Sequence, residues 1–377
     1  MTFDYFFSDA IFRASESNPV KPNLCRVRDP VRHHAVEPNC AFVEPWGRET
    51  LEFFTNSLGL RDEKVRDVPL SEARPRILML GNSFTEGMIA WRDSYVGRIA
   101  AHFPQYDFLN GGMNAYSASN HLNTARMVLA AGVELDEVIV FIDASDLGDE
   151  AAFYHDVDSS GAVAGPAWSL PPLPWYSKNR MRITKHLLIT SSFLSSLDQM
   201  LIGHGYYHFA VPVDPFDSEW TAWTYRKVDE IDTFPVGYAP LGVEGGIAKE
   251  RAKMSLLWQE LAKRNIPISV VVYPLPAQLV HDTADSRLVR MWREWCEGKC
   301  KRFISLFPAF FAVKDQCPLS QAGCWYQSLF IFGDAHYATA GNAVVADVVI
   351  KNLTENPPIK RSGTNLRPES RPARGAH

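Results

Sequence analysis

The sequence predicts an α/β fold built on a mostly parallel sheet with helices on both faces, and three observations predict it. Short apolar runs of strand length, above all Arg76–Leu80 and Glu137–Ile142, read as strands buried on both sides. Segments of helical apolar periodicity alternate with them, the pattern of successive right-handed crossovers between parallel strands. The 377 residues, 46% hydrophobic and 21% charged, are enough for one large globular core.

Taken in order, residues 1–70 carry many prolines, histidines and arginines, with little helical periodicity before Glu49–Leu58. They read as a loop-rich arm with short strands packed beside the core. The pair His33-His34 reads as structural, since no carboxylate or third histidine falls at metal-ligand spacing. A domain over residues 71–354 follows. Its strand Arg76–Leu80 leads to a helix over about Asp93–His102, a short strand at Tyr106–Leu109, the turn Asn110–Ala115 and a helix over about Ser117–Ala131. Glu137–Ile142 is the clearest buried strand. Residues 151–243 break the rhythm with the Pro171–Pro174 run and Trp168, Trp175, Trp220 and Trp223, and read as an insertion that walls or caps a site, with one helix over Lys185–Ile202. The alternation resumes with helices at about Gly246–Arg264, Asp285–Cys296 and Thr339–Asn352 and strands at Ile268–Tyr273 and Phe303–Leu306. Residues 355–377, rich in Pro, Arg, Ser and Gly, read as a disordered tail.

A net charge of −5 leaves no basic footprint for nucleic acid or an anionic membrane. No window approaches the roughly 18 apolar residues of a membrane span, and the opening Met1–Phe7 lacks the basic start of a secretory signal. Six cysteines point the other way. Cys25/Cys40, Cys296/Cys300 and Cys317/Cys324 could pair in an oxidising compartment, which favours an extracytoplasmic setting while leaving compartment open. Their spacings fit zinc sites poorly, so neither metal nor cofactor is expected. Oligomeric state is not readable. A small or neutral substrate is expected.

The chemistry centres on Gly81-Asn82-Ser83, a turn that ends the first parallel strand and holds a hydroxyl at its carboxyl edge. A serine needs a base, and the base an orienting acid. Both stand in Phe332-Gly333-Asp334-Ala335-His336, just before the last helix, where Asp334 and His336 are two apart in an extended segment and can face the same way. An oxyanion hole is the third requirement. Backbone N–H groups of Asn110–Ala115 and the Ser145 hydroxyl in Asp143-Ala144-Ser145-Asp146 are its candidate donors.

The Gly-Asn-Ser turn, the Asn110 turn, the Asp-Ala-Ser-Asp end of the third strand and the late Asp-x-His occur in the order of the four blocks of the SGNH (GDSL-type) hydrolase family, which the chain resembles over roughly residues 76–147 and 244–352. More narrowly, Asn56–Asp62 and Phe141–Ala151 are similar to SGNH-like proteins of bacterial polysaccharide biosynthesis. The resemblance implies a flavodoxin-like three-layer α/β/α fold, Ser83 as nucleophile, His336 as base and Asp334 as orienting acid. It implies oxyanion donors at the Ser83 N–H, the Ala115 N–H and Ser145, with Asn82, Gly112 and Asp146 in support. Three positions depart from the family pattern: Asn82 stands for the usual Asp, Ala115 for the block-two Gly and Ser145 for the block-three Asn. The Asp-x-His spacing resembles that of SGNH-like polysaccharide acetyltransferases.

The expectation is a serine esterase or acyltransferase acting on acyl esters, O-acetyl groups of a bacterial glycan foremost. Its rival is a non-catalytic glycan-binding or assembly protein on the same scaffold. A flavodoxin-like nucleotide binder is set aside, because the turn lacks a Gly-rich phosphate loop with Lys.

Overall fold

The structure, a computed structural model, describes residues 25–46, 49–158, 161–165, 219–227, 238–317, 324–331 and 334–361. The arm supplies a hairpin of β1 (Arg26–Asp29) and β2 (His33–Val36), then β3 (Ala41–Trp46), β4 (Glu49–Thr55) and β5 (Arg61–Asp62). The core strands are β6 (Arg76–Leu80), β7 (Asp107–Asn110) and β8 (Glu137–Ile142). A small hairpin, β9 (His155–Asp156) and β10 (Val163–Ala164), precedes β11 (Ile268–Val272) and β12 (Cys300–Ser305).

The eight-stranded sheet runs β12-β11-β8-β6-β7-β5-β4-β3. Its first five strands are parallel, and numbered by their own succession they stand in the order 2-1-3-4-5, the flavodoxin-like winding. The arm does more than pack beside this sheet. β5 pairs antiparallel with β7 through Arg61 and Asn110, and β4 and β3 extend the edge.

Strand periodicity divides the core into two layers. Leu78, Leu80, Val138, Val140, Ile142, Val270 and Val272 face one way, onto α3 (Ala118–Ala130), α4 (Gly242–Ala262) and α6 (Arg287–Cys296). Ile77, Met79, Ile139, Phe141 and Val271 face the other way, onto α2 (Tyr95–His102), α8 (Cys324–Leu329) and α9 (Thr339–Glu355). Each fully buried Val, Leu or Ile contributes roughly 1.5–3 kcal/mol, so an apolar run on both faces makes these strands the rigid floor of the molecule.

Several elements differ from expectation. Glu49–Thr55 is a strand, and its side chains explain why: Leu51, Phe53 and Thr55 are buried while Glu52 is exposed, a period of two. Helices not foreseen include α5 (Pro276–His281), α7 (Phe307–Asp315) and α8. The short α1 (Ser83–Glu86) was read only as a turn. Residues 356–361 are not a loose end, since the Arg361 N–H donates to Asp136 Oδ1 at 2.7 Å. Residues 362–377, the helix expected at Lys185–Ile202, Trp168 and Trp175 lie outside the described residues. Trp223 is buried and donates through Nε1 to the Ala144 carbonyl at 2.9 Å, so the insertion is anchored on the turn after β8, while Trp220 is half exposed. Disulfides join Cys25–Cys40, Cys296–Cys300 and Cys317–Cys324. Among the described residues no helix is long and apolar enough to cross a membrane, and no group of acidic, histidine and cysteine side chains could hold a metal.

Candidate active site

Ser83 opens α1 immediately after β6, where the winding reverses between β7 and β8. Gly81 is required at this turn because a Cβ there would lie 1.9 Å from Thr85 Oγ1. Asn82 caps the helix, its Oδ1 accepting the Phe84 N–H at 3.1 Å and the Tyr273 hydroxyl at 2.9 Å. Its amide nitrogen donates to Asp143 Oδ2 at 2.7 Å and Asp146 Oδ1 at 2.9 Å. Both polar atoms of the Asn82 side chain are thereby used. A carboxylate here would lack the amide N–H groups that Asp143 and Asp146 both accept, which gives the amide at this position a physical reason. Burial first, then Asp143, push the Asp146 carboxyl well above its ordinary range.

The Ser83 hydroxyl lies 2.7 Å from His336 Nε2, and His336 Nδ1 lies 2.7 Å from Asp334 Oδ1. An ionised Asp334 can only accept, which puts the imidazole proton on Nδ1 and leaves the Nε2 lone pair for the serine O–H. Burial would lower the His336 pKa, but the charge and hydrogen bond of Asp334, with Asp143 and Glu86 adding, hold it above the ordinary histidine value. Phe84 stacks on the imidazole at 4.6 Å between centroids and fixes its plane. Behind the loop, the Tyr326 hydroxyl accepts the Asp334 N–H at 3.0 Å and donates to the Asp334 carbonyl at 2.8 Å. The side chains of His336 and Asp334 remain 16% and 13% exposed, so the site is open at its surface.

The turn after β7 lies against α1. Asn110 Nδ2 donates to the Thr85 carbonyl at 2.8 Å, and Asn110 Oδ1 accepts the Gly112 N–H at 2.9 Å. Gly112 is needed because a Cβ would lie 2.4 Å from the Glu86 nitrogen. Ala115 sits at φ 57°, in the left-handed region usually left to glycine. Among the described residues, neither the Ser83 N–H nor the Ala115 N–H has an acceptor.

Ser145 requires a correction. Its N–H donates to Asp143 Oδ1 at 2.7 Å and its hydroxyl to the same oxygen at 2.6 Å. The Asp two residues before it closes a local turn and takes both donors, so Ser145 is not presented as an oxyanion donor. Phe84, Glu86, Tyr273 and Tyr326 were missed by sequence reasoning. Of these, Phe84 and Glu86 follow Ser83 directly and could have been found by their place on α1; the two tyrosines come from distant elements with no local signal.

No protein-family model and no curated protein matches the chain. Similar solved structures do exist. They include a lipolytic G-D-S-L family member from Veillonella parvula, at 10% identity and TM-score 0.36, covering 74% of this chain and 98% of that one. A catalytic mutant of an acetylxylan esterase from Geobacillus stearothermophilus is 12% identical at TM-score 0.39, covering 76% and 96%. A psychrotrophic esterase from Pseudoalteromonas sp. is 8% identical at TM-score 0.37, covering 74% and 97%.

Proposed function

We propose that the chain is a metal-independent serine esterase or acyltransferase for acyl esters, with O-acetyl groups of a bacterial glycan as the favoured substrate. The observation that carries this reading is the continuous hydrogen-bonded series Ser83–His336–Asp334, both links at 2.7 Å. The order of the four sequence blocks supports it, and the narrower resemblance to polysaccharide-associated proteins supplies the glycan and the acetyl group.

In this mechanism Ser83 Oγ attacks the ester carbonyl carbon while its proton passes to His336 Nε2. The carbonyl oxygen becomes an oxyanion facing the Ser83 and Ala115 N–H groups. Collapse breaks the carbon–oxygen bond to the alcohol, which leaves with the proton from His336. The acyl-enzyme is then attacked by water or by a sugar hydroxyl, whose proton His336 accepts and returns to Ser83. Asp334 holds the Nδ1 proton throughout. Hydrolysis and transfer differ only in which hydroxyl reaches the acyl carbon.

Release of p-nitrophenol from its acetate tests this, with Ser83→Ala and His336→Ala expected to reduce kcat by at least about 10³-fold. Variants as active as the wild type would refute the assignment. The engagement of Ser145 by Asp143 favours a second reading, a non-catalytic glycan-binding protein. That reading requires saccharide binding without covalent labelling of Ser83 by a fluorophosphonate.

A further inference from the structure

The Asn114–Ala115 turn is held at three of its four backbone polar atoms by three separate segments of the chain. Glu86 Oε2, from α1, accepts the Asn114 N–H at 2.8 Å. His34, from the arm's hairpin, places Nε2 2.7 Å from the Asn114 carbonyl oxygen. The Tyr154 hydroxyl donates to the Ala115 carbonyl at 2.7 Å. Left-handed backbone at a residue other than glycine persists where its surroundings over-determine it, and here they do.

The histidine's chemistry is fixed by its partners. A carbonyl oxygen can only accept, so His34 Nε2 carries the proton. His34 Nδ1 therefore holds a lone pair, and His33 Nδ1, 3.0 Å away, is the donor to it. Burial, the larger influence, lowers the His34 pKa to about 4, which keeps this neutral form in place near neutral pH. The Tyr116 hydroxyl donates back to the His34 carbonyl at 2.5 Å, so arm and turn grip each other from both sides.

In a trans peptide the carbonyl and the next N–H point in opposite directions within one plane. A bond to the Asn114 oxygen therefore sets the direction of the Ala115 N–H and polarises it. We propose that His34, carried by the N-terminal hairpin, is a positioning residue for catalysis: by donating to the Asn114 carbonyl it fixes the peptide plane that aims the Ala115 N–H at the developing oxyanion. This rests on the esterase or acyltransferase reading above. It makes the arm a constituent of the active site rather than a neighbour of it.

The test compares His34→Phe, which keeps the ring but not the donor, with His34→Gln, whose amide can take the place of Nε2, and His34→Asn, whose amide is too short to reach. Activity on p-nitrophenyl acetate and the rate of fluorophosphonate labelling of Ser83 are measured on the full chain. His34→Phe is expected to lower kcat about 10- to 100-fold with KM changed less than about threefold, and to slow labelling in parallel. His34→Gln should recover most of that loss. If His34→Phe fails to fold, the Gln and Asn variants decide: Gln active with Asn impaired supports the proposal. Wild-type kcat in His34→Phe or His34→Asn, equal losses in Gln and Asn, or an effect on KM alone would overturn it. A wild-type chain that neither cleaves acyl esters nor labels at Ser83 would instead overturn the reading beneath it.

Discussion

At Asn82 a single side-chain amide stands between two buried carboxylates, Asp143 and Asp146, each 1% exposed. Asn82→Asp replaces the shared donor by a third carboxyl, beside an Asp146 already held well above its ordinary range, so the site must take up a further proton or bear the repulsion at neutral pH. The expected outcome is a loss of about 1–3 kcal/mol at pH 7, read from the urea midpoint, that shrinks toward pH 4 as protonation relieves the repulsion. Equal midpoints at pH 7 would show that the amide's donors are not what holds the two carboxyls there. His336 gives a second prediction. The base must be neutral to accept the serine proton, and Asp334 holds its pKa above the ordinary value of 6.5 despite burial. Activity should accordingly rise with pH through a midpoint above 6.5, seen in the pH profile of kcat/KM. A midpoint below 6 would mean that burial outweighs Asp334. The sequence singled out Ser83 at the end of a strand and Asp334 and His336 just before the last helix, because each stands in a recognisable turn; that α7 and α8 separate the second turn from β12 was not legible. It could not tell that Ser145 turns to Asp143, since serine and asparagine offer equally plausible donors until the turn's own acceptor is located.

The N-terminal hairpin acts at the scale of the element. Besides His34 it brings Arg26, whose Nη1 lies 2.8 Å from Glu86 Oε1, to a carboxylate that is fully buried. Arg61 in β5 meets the same carboxyl-terminal end of that helix, donating to the carbonyls of Glu86, Gly87 and Ile89. Helix α1 is four residues long, too short to hold Ser83 by its own hydrogen bonds, and these arginines supply what the helix lacks. Arg26→Met leaves the Glu86 side chain with the Asn114 N–H as its partner among the described residues, and is expected to destabilise by about 2–4 kcal/mol, the range for a buried pair broken on one side and discounted for a partly exposed arginine. Chemical denaturation measures it, and a change under 0.5 kcal/mol would remove the hairpin's role in bracing α1. None of this was legible in the sequence. The alternation in β4 was present at Leu51, Phe53 and Thr55 but mixed with helical spacing, and the contact from Arg26 to Glu86 joins residues 60 apart. Helix α7, apolar on most of its surface, offered no stripe that periodicity could detect.

Across the whole molecule, what could be read in advance was the part governed by local rules. Four runs buried on both faces and a fifth, half-buried at the sheet edge, separated by helices, admit few windings once crossovers are right-handed, and the flavodoxin-like order is one of them. Edge strands β3 to β5 escaped because one pairing, Arg61 with Asn110, attaches them and no local pattern encodes it. The same burial that makes the core also encloses carboxyls behind the site. Glu250 on α4 is 2% exposed, and burial first, then Glu150 and Asp143, push its pKa well above the ordinary value. The native chain thus binds a proton there that the unfolded chain releases above about pH 4.3. Where the native state holds the extra proton, stability falls as pH rises, and Glu250 opposes folding most strongly at neutral and alkaline pH. Glu250→Gln keeps the shape and a donor while removing the titration. It is expected to stabilise the chain by roughly 1–2 kcal/mol at pH 7 to 8, with the gain fading by pH 4, where the unfolded chain's Glu250 is largely protonated as well. Urea unfolding of both chains at pH 4, 6 and 8 checks this, and a gain independent of pH would mean that packing, not the buried proton, accounts for the difference.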